Sequence, residues 1–462
     1  MSDVIASEQL DLAKVVHDLV PALQEDLKTL VAIPSINAPG HEGDLENART
    51  KIIEFFQGAG IHTQAITVSH GGKTTTPLVY ARHDGPVGAR TVLLYAHYDV
   101  QPADDNEWKI TAPFQPKQIG EPPNTRLYGR GTADDKSGVC MHLGVVRALA
   151  GKIPVNLKIV IEGEEEIGRG VLEDYILHND DERFHADLIV VADTGNVRLG
   201  VPTITTSLRG LAGATVSVDT LRQPVHSGMY GGPAPDAFMA LTRILATLHD
   251  DNGDVAVKGL VQDSLGWPAV DESQFRRDAG LLDGVPLIGT RSIAERLYGK
   301  PSINVVGLDG PPSYAQATNV LVAHAKAKIS MRIAPHQDPA KAVELLTAHI
   351  KAHAPWGVAV TVDPIDPGYG FAANTGGPYF VAAEQALKAT YSTDSVVHGG
   401  QGGSIPLVHA FAHANPEADI VLWGCEEPLC SIHGPDESVA YRELEAMTTA
   451  EAVLLSRVGG LK

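Results

Sequence analysis

The chain has 462 residues, of which 44% are hydrophobic and 20% charged, a composition typical of a globular protein with a large core and room for two domains. Thirty-six Lys and Arg residues stand against 56 Asp and Glu, so the formal net charge is -20. This acidity argues against nucleic acid or an anionic membrane as the main partner, because no basic stripe is present to neutralise phosphates.

The first segment, Met1 to Leu30, is predicted to form an acidic amphipathic helix. It lacks the basic start and apolar block of a signal peptide, and no apolar run in the chain approaches the ~18 residues of a membrane helix. Three cysteines, Cys140, Cys425 and Cys430, are too few for a disulfide framework, and Cys425 and Cys430 alone make a poor zinc site. These observations predict a protein of the reducing cytoplasm.

Several runs rich in Val, Ile and Leu are predicted to be buried parallel strands: TVLLYAHYDV (91–100), NLKIVIEGEE (156–165), ADLIVVADTG (186–195) and ADIVLWGCEE (418–427). Between the first two lies DDKSGVCMHLGVVRALAG (134–151), a helix-type segment that ends at a glycine. This alternation predicts an α/β fold with a mostly parallel sheet. In such a sheet, ligands bind outside the C-terminal ends of the strands.

Side chains of the metal-ligand type follow these strands or the glycine-rich turn GRGTADD: His97, Asp99, Asp134, Asp135, Glu165, Glu166, Asp193 and His433. Each could instead be a helix cap, a turn residue or a solvated charge. The strand-end rule, however, brings all of them to one edge, where crowded carboxylates must be protonated or bind a cation.

Imidazole and carboxylate ligands suit zinc, and also manganese or cobalt. Five ligands are too many for one tetrahedral zinc ion but suit two ions with a bridging carboxylate, and the candidate set is His97, Asp134, Glu166, Asp193 and His433. Glu165 is left over beside this cluster, in the position of a general base.

The segment between Ser207 and about Gly368 has a different pattern. LAGATVSVD and VAHAKAKISMRIAP alternate like half-exposed strands of an antiparallel sheet, and APDAFMALTRILATLHD is amphipathic with a helical period. The sequence therefore predicts a second, α+β domain.

Seven motifs occur in this order along the chain: YAHYDVQP, GRGTADDKSG, EGEEEIG, VVADTG, VHSGMYGG, GGSIP and SIHGPDE. Over roughly residues 20 to 450 they resemble the M20 metallopeptidases, specifically the dipeptidase branch of cytosolic non-specific dipeptidases and carnosinases. The resemblance implies a discontinuous catalytic domain, 1–206 and 370–462, and an inserted ferredoxin-like lid and dimerisation domain, 207–369.

The resemblance also implies roles at the strand ends. Two divalent ions per subunit, most simply Zn²⁺, would be bound by the five ligands named above, with Asp134 bridging. Glu165 would be the catalytic base that activates a water between the ions, for hydrolysis of dipeptides with a free C-terminal carboxylate. Asp99 matches a carboxylate that orients a ligating imidazole, and Glu164 is expected to face solvent.

Four residues match substrate-binding positions of the family: His226, Asn319 and Arg332 in the second domain, and Ser404 in the catalytic segment 370–462. His226 would reach into the active site of the other subunit of a homodimer and polarise the scissile carbonyl. Arg332 would bind the substrate's C-terminal carboxylate, since a planar guanidinium suits that group. Ser404 lies on a glycine-rich loop at a substrate-side position, and Asn319 stands where close dipeptidases often have Thr.

Two other interpretations are open at this stage. An N-acyl-amino-acid amidohydrolase, or a carboxypeptidase acting on longer peptides, would share the same metal cluster. A catalytically silent binding protein is expected to lose the base or a ligand, and this chain has kept all six. Relatives often carry charged residues where Gly399, Gly400 and Gln401 stand, which leaves the substrate preference open.

Overall fold

The computed structural model describes residues 2–168, 170–365 and 367–461, with side-chain surroundings from residue 11 onward. The chain divides into two compact units. The first unit combines Met1–Thr206, Ala373–Gly399 and Pro406–Lys462, and the second combines Ser207–Ala372 and Gly400–Ile405.

The elements are numbered in chain order. The first segment contains α1 (Ser2–Val31), α2 (Glu42–Gly58), β1 (His62–Ile66), β2 (Ser69–His70), β3 (Lys73–Thr74), β4 (Leu78–His83), β5 (Thr91–His97), β6 (Lys117–Ile119), β7 (Arg126–Tyr128), α3 (Lys136–Leu149), β8 (Asn156–Glu162), α4 (Val171–His178), β9 (Leu188–Val191) and β10 (Thr203–Leu208). The middle segment contains β11 (Gly210–Asp219), β12 (Val225–His226), α5 (Ser227–Tyr230), α6 (Ala237–Ala246), α7 (Glu272–Asp278), β13 (Ser302–Asp309), β14 (Val320–Leu321), β15 (His324–Ile333), α8 (Pro339–Ala352), β16 (Ala359–Pro364) and β17 (Phe371–Ala372). The last segment contains α9 (Pro378–Tyr391), β18 (Val397–Gln401), α10 (Pro406–Ala414), β19 (Asp419–Leu422), β20 (Ser438–Ala440) and α11 (Tyr441–Gly460).

The main sheet of the first unit has four parallel strands at its centre, in the order β8-β5-β9-β19. These strands are almost entirely buried, as expected for apolar runs that helices cover on both faces. They are the four runs predicted from the sequence, so the α/β fold with a parallel sheet is confirmed. Towards the edges β4, β1 and β10 continue the sheet in antiparallel pairings.

The start of helix α3 is fixed by a cap that also positions Asp134. The carboxylate of Asp135 accepts a hydrogen bond of 3.0 Å from the N–H of Gly138, which caps the helix. A side-chain carbon on Gly138 would lie 2.2 Å from that carboxylate oxygen, so glycine is required there. The predicted helix at 134–151 is confirmed, and Asp134 precedes its cap.

The second unit is built on a four-stranded antiparallel sheet in the order β13-β15-β11-β16. Helices α6 and α8 pack on this sheet, and their chain order gives a βαββαβ unit of the predicted ferredoxin-like kind. Asp236 and Asp338 cap the two helices, and Pro339 occupies the first turn of α8. The unit has its own apolar core, centred on Val216, Leu241, Ile329 and Leu346.

Within the described ranges, no helix combines the length and the apolar character that a membrane crossing requires. Cys140, Cys425 and Cys430 are all buried and unpaired.

Candidate metal centre and active site

The predicted ligands meet at the C-terminal edge of the parallel strands. His97 is the last residue of β5, and Asp134 precedes the cap of α3. Glu165 and Glu166 follow β8, and Asp193 follows β9, each within a few residues of the strand end. The loop after β19 brings His433 to the same place, although it lies far away in the chain.

These side chains form two groups that share one carboxylate. His97, Asp134 and Asp193 make the first group, and Asp134, Glu166 and His433 make the second; in each, one ligand atom per residue lies within 4.8 Å of the others. His97 Nε2 is 2.9 Å from Asp134 Oδ1, and His433 Nε2 is 3.0 Å from Asp134 Oδ2. The two oxygens of Asp134 thus point to different imidazoles.

The electrostatics show a concentration of negative charge. Burial, opposed by hydrogen bonding to His97, raises the pKa of Asp193 to about 6. Burial and the nearby charge of Asp193 raise the pKa of Glu165 well above its usual range. Hydrogen bonds to Asp134 and Glu166 raise the pKa of His433 to about 10, since a protonated imidazole is favoured among carboxylates.

The donor set fits divalent cations. Each group offers one imidazole nitrogen and two carboxylates, a mixture that zinc, manganese and cobalt accept. Two ions would bring four positive charges to three ligating carboxylates, which would offset the burial and the repulsion that raise the pKa values of Asp193 and Glu165. Asp134 is the group placed to bridge them, because it belongs to both sets.

Asp99 and Gln101 hold the loop that carries Glu165 and Glu166. The Asp99 carboxylate accepts hydrogen bonds from the backbone N–H groups of Glu165 and Glu166, at 3.2 and 3.0 Å. The main-chain carbonyl of Asp99 lies 3.0 Å from His97 Nδ1, and its carboxylate lies 3.5 Å away. Gln101 donates a hydrogen bond of 2.7 Å to the Glu166 carboxylate.

Glu437, which the sequence analysis missed, fixes the turn that carries Asp134. Its fully buried carboxylate accepts hydrogen bonds from the N–H groups of Gly131, Ala133 and Asp134. It also pairs with Arg130 at 2.7 Å, and Arg130 donates to the carbonyl of His433. One carboxylate therefore ties the turn before α3 to the His433 loop.

Glu426 is a second residue that the sequence analysis missed. It is 7% exposed, and burial followed by the charges of Asp134 and Asp193 raises its pKa well above the usual range. The signal was present, because Glu426 follows the fourth predicted strand at the same sheet edge. The strand-end rule that selected the other ligands would have included it.

The expectation that Glu164 faces solvent is wrong. Its side chain is buried, with 4% of the residue exposed, and its two oxygens accept hydrogen bonds from the N–H groups of Thr76 and Val171. Val171 is the first residue of α4, so Glu164 satisfies a free amide at a helix start. The carboxylate of Glu164 is therefore satisfied by backbone donors inside the protein.

The four predicted substrate-binding residues all lie in the second unit. His226 is exposed, and its Nδ1 accepts a hydrogen bond of 3.1 Å from the N–H of Gly228. The carbonyl of Asn319 accepts from the N–H of Ser227, across the β12–β14 pair. Arg332 is half-buried on β15, and Ser404 Oγ lies beside Gly368.

An α/β sheet whose C-terminal edge carries two imidazole–carboxylate groups with a shared Asp is an arrangement that suits a hydrolase with two metal ions. The sequence comparison gives the family. Residues 93–457 match the model of peptidase family M20/M25/M40, and the chain belongs to that family. The predicted resemblance is therefore confirmed, and the chain is a peptide-bond hydrolase.

Three known proteins are similar over most of their length. The "Cysteinylglycine-S-conjugate dipeptidase" of Corynebacterium striatum is 38% identical over 381 residues, which cover 81% of this chain and 82% of that protein. The "Cys-Gly metallodipeptidase DUG1" of Candida albicans is 28% identical over 433 residues, 86% of each chain. The solved structure of the dipeptidase Dug1p from Saccharomyces cerevisiae has the same fold, with a TM-score of 0.80 at 22% identity over 98% of this chain and 99% of that one.

Proposed function

We propose that this protein is a metal-dependent dipeptidase that cleaves dipeptides with a free C-terminal carboxylate. The observation that carries the proposal is that two groups of potential metal ligands share Asp134. Glu165 lies beside them but belongs to neither group, so its carboxyl is available for proton transfer. The similarity to proteins named dipeptidases supports the choice of substrate over an N-acyl-amino-acid amidohydrolase or a carboxypeptidase.

His97, Asp134 and Asp193 would hold one divalent ion, and Asp134, Glu166 and His433 the other, most simply zinc. When bound, the two ions supply Lewis acidity, which polarises a carbonyl and lowers the pKa of water from about 16 toward ~7. Asp99 and Gln101 keep the Glu165–Glu166 loop at the strand ends.

Glu165 carries the proton transfers. Glu165 belongs to neither ligand group and lies close to Asp193 and Asp134, so its carboxylate would take a proton from water and return it to the leaving amine. The same group would serve first as base and then as acid, and the hydrogen bonds to Asp99 hold the backbone that carries it.

The second unit would recognise the substrate. Arg332 is half-buried and has no acidic partner among the described residues, which suits binding of the substrate's C-terminal carboxylate. Ser404 and Asn319 are proposed to bind other polar groups of the same dipeptide.

His226 would polarise the scissile carbonyl from the partner subunit of a homodimer. Because its Nδ1 accepts the Gly228 N–H, the neutral imidazole carries its proton on Nε2, the nitrogen that can donate to an oxyanion. The edge strand β13 exposes Val305, Val306 and Leu308. An apolar, unpaired sheet edge of this kind suits pairing with a second copy.

We also propose that the enzyme is cytoplasmic. Its three cysteines form no disulfide, as is usual in a reducing compartment.

A substrate panel tests the function. Chelated protein would be resupplied with zinc or with manganese and offered free dipeptides, their N-acetyl forms and tripeptides. Metal-dependent cleavage confined to free dipeptides is the expected result. Cleavage of the N-acetyl forms alone would replace the dipeptidase assignment by an amidohydrolase, and cleavage of tripeptides alone would replace it by a carboxypeptidase.

A further inference from the structure

Arg209, which no motif of the sequence analysis selected, is a buried arginine with no acidic partner in the part of the chain that the structure describes. It lies between β10 and β11, and 9% of the residue is exposed. Its Nη1 donates to Ser302 Oγ at 3.2 Å and to the carbonyl of Lys300 at 3.4 Å. Its Nε is fully enclosed without a hydrogen-bond partner, and Nη2 donates to no described residue.

This arrangement is electrostatically unfavourable as it stands. Burial and the positive charge of Arg332 together lower the pKa of Arg209 to about 10. A buried guanidinium normally has a carboxylate beside it, because removing a charge from water is costly unless it is paired. Two neighbouring guanidinium groups without an anion among the described residues lower the stability of the fold, so the pair is better explained by an anionic ligand than by packing.

The surroundings of Arg209 place it at the glycine-rich loop. Its backbone N–H donates to the carbonyl of Gln401, and a side-chain carbon at Gly402 would stand 3.2 Å from Nη2. The same loop continues to Ser404. Arg209, Arg332, Ser302 and this loop all belong to the second unit, so the cluster is formed within one compact part of the chain.

Two aromatic rings stand beside the cluster. The indole N–H of Trp267 donates to Ser207 Oγ at 2.7 Å, and its ring centroid is 5.9 Å from that of Tyr298. Both rings would collide with a side chain at Gly400, at 2.6 Å. They therefore fill the space beside Gly400, and they lower the local polarity around the guanidinium groups.

We propose that Arg209 is a second carboxylate-binding residue, which forms with Arg332 a subsite of two guanidinium groups for the C-terminal carboxylate of the substrate. The inference rests on the proposed dipeptidase function and extends it. The unpaired Nη2 donates to the carboxylate, and Ser302 and the Lys300 carbonyl hold the opposite side of the guanidinium in place.

The test compares ligands that differ only in this carboxylate. The probes are alanylalanine with its amide reduced to a methylene-amine, which cannot be hydrolysed, and the C-terminal carboxamide of the same compound. Binding of both to the metal-loaded enzyme is measured by calorimetry for wild type, Arg209→Met, Arg209→Lys and Ser302→Ala. Steady-state kinetics with alanylalanine and its carboxamide are recorded in parallel.

Arg209→Met is expected to weaken the carboxylate probe roughly 10- to 100-fold, as for loss of a charge-assisted hydrogen bond, and the carboxamide by less than about twofold. Arg209→Lys keeps the charge but loses the planar group, so the selective loss should be smaller. Ser302→Ala, which keeps the guanidinium, should give the smallest selective loss.

Equal losses for the two probes would overturn the proposal, because a purely structural role does not distinguish carboxylate from carboxamide. If Arg209→Met fails to fold, the same comparison with Arg209→Lys decides. Selective loss of binding in an enzyme that hydrolyses no dipeptide would reject the proposed function and retain the subsite. Dipeptide hydrolysis with equal losses would retain the function and reject Arg209.

Discussion

The carboxylate of Asp99 accepts a hydrogen bond of 3.0 Å from the backbone N–H of Glu166. This contact fixes a proposed metal ligand through its main chain, and the neighbouring bond from Glu165 fixes the proposed base in the same way. Asp99, which is not itself a proposed metal ligand, thus positions both the proposed ligand Glu166 and the proposed base Glu165.

Asp99→Asn should weaken metal binding about 10- to 100-fold and lower kcat, because one of the two acceptors becomes an NH₂ group facing a backbone N–H. Competition with a chromophoric chelator measures the affinity. Asp105→Asn, which removes an exposed acid from the following loop, is the matched control. Unchanged metal affinity in Asp99→Asn would contradict the positioning role.

Glu165→Gln should retain both metal ions and lose roughly 10²- to 10⁴-fold in kcat, since the amide cannot accept the proton. Metal content by mass spectrometry and single-turnover rates with a dipeptide separate the two effects. Near-normal turnover in a variant with full metal content would exclude Glu165 as the base.

Mixing two inactive variants tests whether His226 acts across the dimer. His226→Ala should cost about 10²- to 10³-fold in kcat, as for an oxyanion donor. When it is mixed with Glu165→Gln and the subunits are exchanged, heterodimers contain one site with both groups intact, so activity should return to about a quarter of wild type. A mixture that stays inactive despite demonstrated exchange would mean that both groups serve the same subunit.

Glu162 should make stability depend on pH. Burial raises the pKa of this carboxyl to about 8, although the Tyr95 hydroxyl donates to it at 2.7 Å. The folded protein therefore holds this proton more tightly than the unfolded chain, and the stabilisation is complete in acid and is lost as the pH rises through about 8.

Glu162→Gln removes this dependence, so its advantage in unfolding free energy over wild type should grow between about pH 5 and 8, to the order of 2–4 kcal/mol. Denaturant melts of chelated protein across this range measure it. Glu417→Gln, at an exposed carboxylate, controls for the loss of one negative charge. Parallel stability curves for Glu162→Gln and wild type would exclude a protonated Glu162.

Gly163→Ala should destabilise the protein by about 1–3 kcal/mol, because the new carbon would lie 2.3 Å from the ring of Tyr98. The displaced loop carries Glu165 and Glu166, so kcat should fall as well. Thermal melts and dipeptide turnover report both effects. Gly43→Ala is the control, because a side-chain carbon in this first turn of α2 would meet no other atom. An equally small effect at both positions would mean that the Tyr98 ring can move aside at little cost.

The central strands and the meeting of His97, Asp134, Glu166, Asp193 and His433 could be predicted because each depends on a local pattern and one general rule about strand ends. Glu164 could not be placed that way. Its environment depends on Thr76, a residue 88 positions earlier, and three identical neighbours give no sign of which one meets that donor. Arg209 was missed for a related reason, since nothing in its own segment indicates that its surroundings lack an acid.

The contacts of Glu437 have a consequence for the timing of activity. His97, Asp134, Glu166 and Asp193 come before the second unit in the chain, whereas His433 and Glu437, the acceptor that holds the turn before α3, come after it. A chain that stops before residue 433 would lack one imidazole and the support of that turn. During synthesis, which proceeds from the N-terminus, we therefore expect activity only after residue 437 has been added.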